Sequence, residues 1–95
     1  MILYNVSVII DDSSHADLYQ WLIDTLRDNP FGAKLLKMLD SPHEGTTYCI
    51  QIVAGDDAIA VFQQELLVHL QDYITKHHAG KAFVFDSRME YMALG

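Results

Sequence analysis

The sequence has one cysteine, Cys49, among 95 residues, so no disulfide can form within the chain. It has six basic residues against thirteen acidic ones, for a formal net charge of -7. The six, Arg27, Lys34, Lys37, Lys76, Lys81 and Arg88, are scattered along the chain. Lys and Arg supply most of the affinity for a phosphate backbone, so this balance argues against a nucleic-acid partner. No basic run suits an anionic lipid surface. No apolar stretch approaches the ~18 residues of a membrane span. No basic region followed by a long apolar core opens the chain, so no signal peptide is expected and a cytoplasmic location is the default. Low-complexity segments and internal linkers are missing too.

What remains is an ordinary globular composition, 51% hydrophobic and 20% charged, and a length that suits a single domain spanning residues 1–95. A domain of this size buries only about two-thirds of the surface its unfolded chain exposes, so a partner subunit would help it.

Thr46–Ala54 has the pattern of a central strand. Tyr48, Ile50 and Ile52 are large and apolar, while Thr47, Cys49, Gln51 and Val53 are smaller or more polar. Residues 2–10 alternate in the same way, with Tyr4, Val6, Val8 and Ile10 against Leu3, Asn5, Ser7 and Ile9. Asp11-Asp12-Ser13-Ser14 breaks that strand and offers helix caps. A helix is expected from there to about Asp28, ended by Asn29-Pro30-Phe31-Gly32. Lys34–Leu39 is too short for a stable helix between such breakers and is taken as a strand, with Leu36 and Met38 on one face and Leu35, Lys37 and Leu39 on the other. The loop 40–45 makes a hairpin into Thr46. Gly55-Asp56-Asp57 starts a long helix to about His77, with Ile59, Phe62, Leu66, Leu70, Tyr73 and Ile74 on its core stripe. Lys81–Met92 alternates once more as a last strand.

The order β-α-β-β-α-β with right-handed crossovers predicts an α+β, ferredoxin-like fold. Its antiparallel four-stranded sheet has the first and third strands at the centre and both helices on one face. The other face is expected to carry Leu3, Asn5, Ser7, Ile9, Leu35, Lys37, Leu39, Cys49, Gln51, Val53, Val84, Asp86 and Arg88. Such a surface is too apolar for water and too polar for a plain core. Two resolutions fit. In one, the face is a homodimer interface, with Ile9, Cys49, Val53 and Val84 in it. In the other, it lines a small-molecule cleft in which Asn5, Lys37, Gln51, Asp86 and Arg88 give the polar contacts. The two are compatible. Edge-strand pairing with a peptide is a third option.

Met1–Val8, Lys34–Asp40, Glu44–Gln51 and Gly80–Val84 resemble a family of small bacterial proteins known only as a domain of unknown function, the 4286 family. That family is similar in architecture to the dimeric α/β-barrel group, which includes small monooxygenases, haem-degrading enzymes and isomerases. The resemblance therefore implies a dimer. It leaves open a small oxygenase, cofactor-independent or haem-associated, as the alternative to a binding module. It brings no catalytic residues to transfer.

Other residues have plainer readings. Cys49 shares its strand face with no histidine and is expected to be a packing residue rather than a nucleophile. His77 and His78 point about 100° apart on a helix and do not chelate one ion readily, so no metal site and no cofactor are expected. His15, His43 and Glu44 lie at element ends, where loop composition explains them. An ion pair is the simplest account of Asp86 and Arg88.

Overall fold

The structure, a computed structural model, covers residues 1–95. Strand β1 (Ile2–Ile10) leads through a tight turn at Asp12–Ser14 into helix α1 (His15–Leu26). Strands β2 (Lys34–Lys37) and β3 (Thr46–Ala54) form a hairpin. Helix α2 (Asp56–Phe62), a π-helical turn (Gln63–Leu67) and helix α3 (Val68–His77) follow, and strand β4 (Ala82–Glu90) ends the fold. The sheet order is β2-β3-β1-β4, antiparallel throughout, so the ferredoxin-like arrangement stands with β1 and β3 at the centre.

Local chemistry explains the joints. The Asp11 carboxylate accepts from the Ser13 amide at 3.0 Å and caps the turn before α1. After α1 the Asn29 side chain ties the reversal together. Its Nδ2 donates to the carbonyls of Leu26 and Ala33, and its Oδ1 accepts from the amides of Phe31 and Ala33. Gly45 has φ +79°, and a Cβ there would lie 2.2 Å from the Ile10 carbonyl oxygen, so the hairpin crosses the end of β1 only with glycine.

The long helix differs from its expected form at one place. The Val68 amide donates to the Gln63 carbonyl, five residues back, which inserts a π turn between α2 and α3. The apolar stripe survives it, and Ile59, Phe62, Leu66, Leu70 and Ile74 are all buried. They meet Leu18, Leu22 and Leu26 of α1 and Tyr4, Val6, Val8, Ile10, Tyr48, Ile50 and Ile52 of the sheet in one core.

Register fixes the two faces, because directly paired residues point to the same side. Leu3, Asn5, Ser7 and Ile9 pair with Val53, Gln51, Cys49 and Thr47, all on the open face as expected. On the edge strands the expected faces are reversed. Val84, Asp86 and Arg88 pair with Val8, Val6 and Tyr4, and so lie on the helix side. The open side of β4 instead carries Phe83, Phe85, Ser87 and Met89. Likewise Lys37 pairs with Tyr48 and Leu35 with Ile50 on the helix side, while Lys34 and Leu36 pair with Gln51 and Cys49 on the open side. Leu39 lies beyond β2 and is exposed.

Candidate functional site

The open face is the candidate site, and it is built in rows that run across the strands. One row is polar: Lys34, Gln51, Asn5 and Ser87 follow one another from β2 to β4. Gln51 Nε2 donates to Asn5 Oδ1 at 3.0 Å, and Asn5 Nδ2 donates to Ser7 Oγ at 2.9 Å. Ser7 Oγ in turn lies 3.7 Å from Cys49 Sγ. The amides are thus tied to one another rather than left to water, which is what burial of this face would require.

Apolar rows flank the polar one. Val53, Leu3 and Met89 lie on one side, and Leu36, Cys49 and Phe85, then Ile9 and Phe83, on the other. Several are wide open to solvent: Val53 is 49% exposed, Phe83 56% and Phe85 60%. Cys49 is 8% exposed within the chain itself and behaves as a packing residue. Two concavities border this face. One of about 260 Å³ is lined by Ser7, Ile9, Met38, Pro42, His43, Thr47 and Phe85. The larger, about 480 Å³, is lined by Leu3, Phe31, Gly32, Lys34, Gln51, Val53 and Tyr91.

The expected ligand set is therefore split. Asn5 and Gln51 are brought together on the open face, whereas Lys37, Asp86 and Arg88 stand on the helix side. Of the expected interface residues, Ile9, Cys49 and Val53 lie on the open face and Val84 does not. The cation on the open face is Lys34, which the parity of a four-residue strand could not distinguish from Lys37. Its signal was the hairpin register with Gln51.

The displaced charges serve other purposes. Tyr4 is fully buried, and its hydroxyl donates to Asp86 Oδ2 at 2.6 Å and accepts from Gln63 Nε2 at 3.3 Å. Burial first, and then the Asp86 hydrogen bond, push the Tyr4 phenol up to about 12. Arg88 pairs with Asp56 at the start of α2. Asp86 and Arg88 do not pair with each other, so the expected ion pair is replaced by two contacts to other elements.

Two clusters on the helix side escaped the sequence. His15 Nε2 lies 2.8 Å from the Tyr48 hydroxyl, and Tyr19 stacks on both rings. Burial and then the neighbouring Tyr19 raise the Tyr48 phenol. His15 and His43 consequently belong to opposite sides of the sheet. In the same first turn of α1, Asp17 Oδ2 accepts from Tyr73 at 2.5 Å and from His78 Nε2 at 2.7 Å. Those bonds, Tyr73 first, hold the Asp17 carboxyl below its ordinary range. His78 is buried and locks the end of α3 to α1.

No helix is long and apolar enough to cross a membrane. Comparison with solved structures gives the fold. A Deinococcus radiodurans protein ascribed to the antibiotic biosynthesis monooxygenases is 11% identical, with a TM-score of 0.72 over 98% of this chain and 94% of that one. SnoaB, a cofactor-independent oxygenase from Streptomyces nogalater, is 6% identical, with a TM-score of 0.63 over 97% and 93%. A de novo designed protein, Foldit4, reaches 0.62 at 8% identity over 96% and 98%. An artificial chain and an oxygenase are thus about equally similar to this one, so the likeness speaks to fold and not to activity. No curated protein matches the sequence. The model of a family described as Domain of unknown function (DUF4286) matches residues 1–92, and the chain belongs to that family.

Proposed function

We propose that the domain is a homodimeric binding module in which two open sheet faces pack together and enclose room for a small molecule. One observation carries this reading. Leu36, Met38, Val53, Phe83, Phe85 and Met89 are exposed together on the side that no helix covers. Scattered exposed apolar residues are normal, but whole rows of them on one face mark an interaction surface. A second copy fits because the chain is small and carries the same face. The internal bonds of Gln51, Asn5 and Ser7 lower the cost of drying the centre of the interface. The two bordering concavities then become closed pockets near the size range of small-molecule sites.

Sedimentation velocity on wild type and Phe85→Asp tests the proposal. The wild type should be dimeric at micromolar concentration. The variant should weaken dimerisation at least about 100-fold, since an uncompensated carboxylate in a dry interface costs several kcal/mol. Its circular dichroism should stay native, because the residue is 60% exposed within one chain. A wild type that is monomeric at about 100 μM, or a variant that stays dimeric, would sink the reading. The small cofactor-independent or haem-associated oxygenase draws support from fold likeness alone, and no set of side chains here favours it.

A further inference from the structure

Every charged side chain of the sheet except Lys34 lies on the helix side. Lys37, Asp86, Arg88 and Glu90 pair with Tyr48, Val6, Tyr4 and Ile2, whereas Lys34 pairs with Gln51. Lys34 makes no ion pair within the chain, although the chain as a whole is acidic. It also lines the largest concavity, about 480 Å³, whose other walls are apolar or uncharged: Leu3, Phe31, Val53 and Tyr91, with the Gln51 amide beside them. No carboxylate contributes to that lining.

Closing the sheet on a second copy sharpens the problem. The partner brings the same face, with the same cation and no acid on it. An ammonium dried by that contact would lack a counter-charge, because neither open face supplies one. We infer that the missing anion belongs to a ligand, and that this concavity binds a flat aromatic monocarboxylate. Its carboxylate pairs with the Lys34 ammonium. The Gln51 amide, one of whose two N–H groups is engaged with Asn5, has a second to offer. Its ring system lies against Phe31, Tyr91, Leu3 and Val53, which would make ring contacts with an aromatic body. The inference rests on the dimer reading for the dryness of the site, but not for its lining.

Isothermal titration calorimetry with 2-naphthoate and its neutral analogue 2-naphthamide tests it on the full chain. The acid should bind once per chain and the amide at least tenfold more weakly. Lys34→Met should remove that preference, and Lys34→Arg should keep it. Lys37→Met, on the opposite face of the same strand, should also leave it unchanged. Lys34 is exposed on an edge strand, so these variants should fold, with circular dichroism as the check. No binding of 2-naphthoate by wild type, equal binding of acid and amide, or an unaltered preference in Lys34→Met would each overturn the inference. Sedimentation of the same samples separates the two readings. A dimer that ignores 2-naphthoate defeats the ligand and spares the dimer. A monomer that binds it with the expected preference does the reverse.

Discussion

The helix-covered and open faces of the sheet come from the same four strands, yet they meet different physical demands. On the covered face, Tyr4, Val6, Val8, Ile50 and Ile52 are sealed by α1, α2 and α3. Where the helices stop short of β4, that face turns charged, with Asp86 and Arg88 tied to Tyr4 and Asp56. The open face has the reverse plan. Its centre is polar and internally bonded, and its flanks, especially Phe83 and Phe85, are apolar and unsheltered. Hydrophobicity alone therefore does not say which side of a strand meets the core. An edge strand under thin helix cover can turn its charges inward and its aromatic rings outward when a second body is to pack there.

The sharpest contrast separates the faces at neighbouring positions of β3. Ile52 is 2% exposed under the helices, and Val53 is 49% exposed on the open side. Ile52→Asp places an unpaired carboxylate in the core and removes apolar volume, a loss of about 4 kcal/mol or more. A domain of this size has on the order of 5–14 kcal/mol in all, so the variant should be unfolded or melt far below wild type by circular dichroism. Val53→Arg should keep the wild-type fold and lose the dimer in sedimentation. If the two variants behave alike, the faces are not distinct in the way described.

How far the sequence reveals this comparison depends on the strand. The central strands β1 and β3 were legible to the residue, because each alternates sharply and both must bury the same parity under helices. The edge strands were not. In β4 the row Phe83, Phe85, Met89 is the more apolar and was expected inward, but the pairing of Val6 with Asp86 decides otherwise. In β2 Leu35 and Leu36 are equally apolar, so only the register of the hairpin settles which one faces the core. The π turn was invisible, since the buried residues of α2 and α3 keep spacings of three and four throughout. The meeting of Asp17, Tyr73 and His78 was hidden for another reason. It joins two helices and a helix cap, and no spacing along one element encodes it.

A middle-sized effect probes the charged half of the covered face. Asp86 was expected at a ligand-binding surface, but its carboxylate accepts from the buried Tyr4 hydroxyl. Asp86→Ala removes that acceptor while Gln63 still donates to Tyr4. Loss of a hydrogen bond to a charged group costs roughly 1.5–3 kcal/mol, read as a lowered urea midpoint. Dimerisation should be unchanged within about twofold, since the side chain points away from the open face. A dimer weakened as strongly as by Phe85→Asp would put Asp86 back in the interface.

The smallest effect appears only in alkali and concerns the same buried phenol. Tyr4 has its folded-state value raised to about 12 from the ordinary 10.0, by burial first and the Asp86 hydrogen bond second. A raised value means that the folded state holds the proton more tightly than the unfolded state does. The resulting stabilisation is complete below pH 10 and is lost as the pH rises from there towards about 12. Stability measured by urea denaturation should therefore fall across that window in the wild type, and Tyr4→Phe should flatten the Tyr4 part of the slope. Near neutral pH the same substitution removes one hydroxyl from two partners, and should cost only about 1 kcal/mol because Asp86 is exposed and can turn to water. The contrast between the faces gives the control. Tyr91, on the open side and 59% exposed, makes no hydrogen bond through its hydroxyl, so Tyr91→Phe serves as the comparison substitution. An alkaline slope that Tyr4→Phe leaves as steep as in wild type would overturn the assignment of the buried phenol.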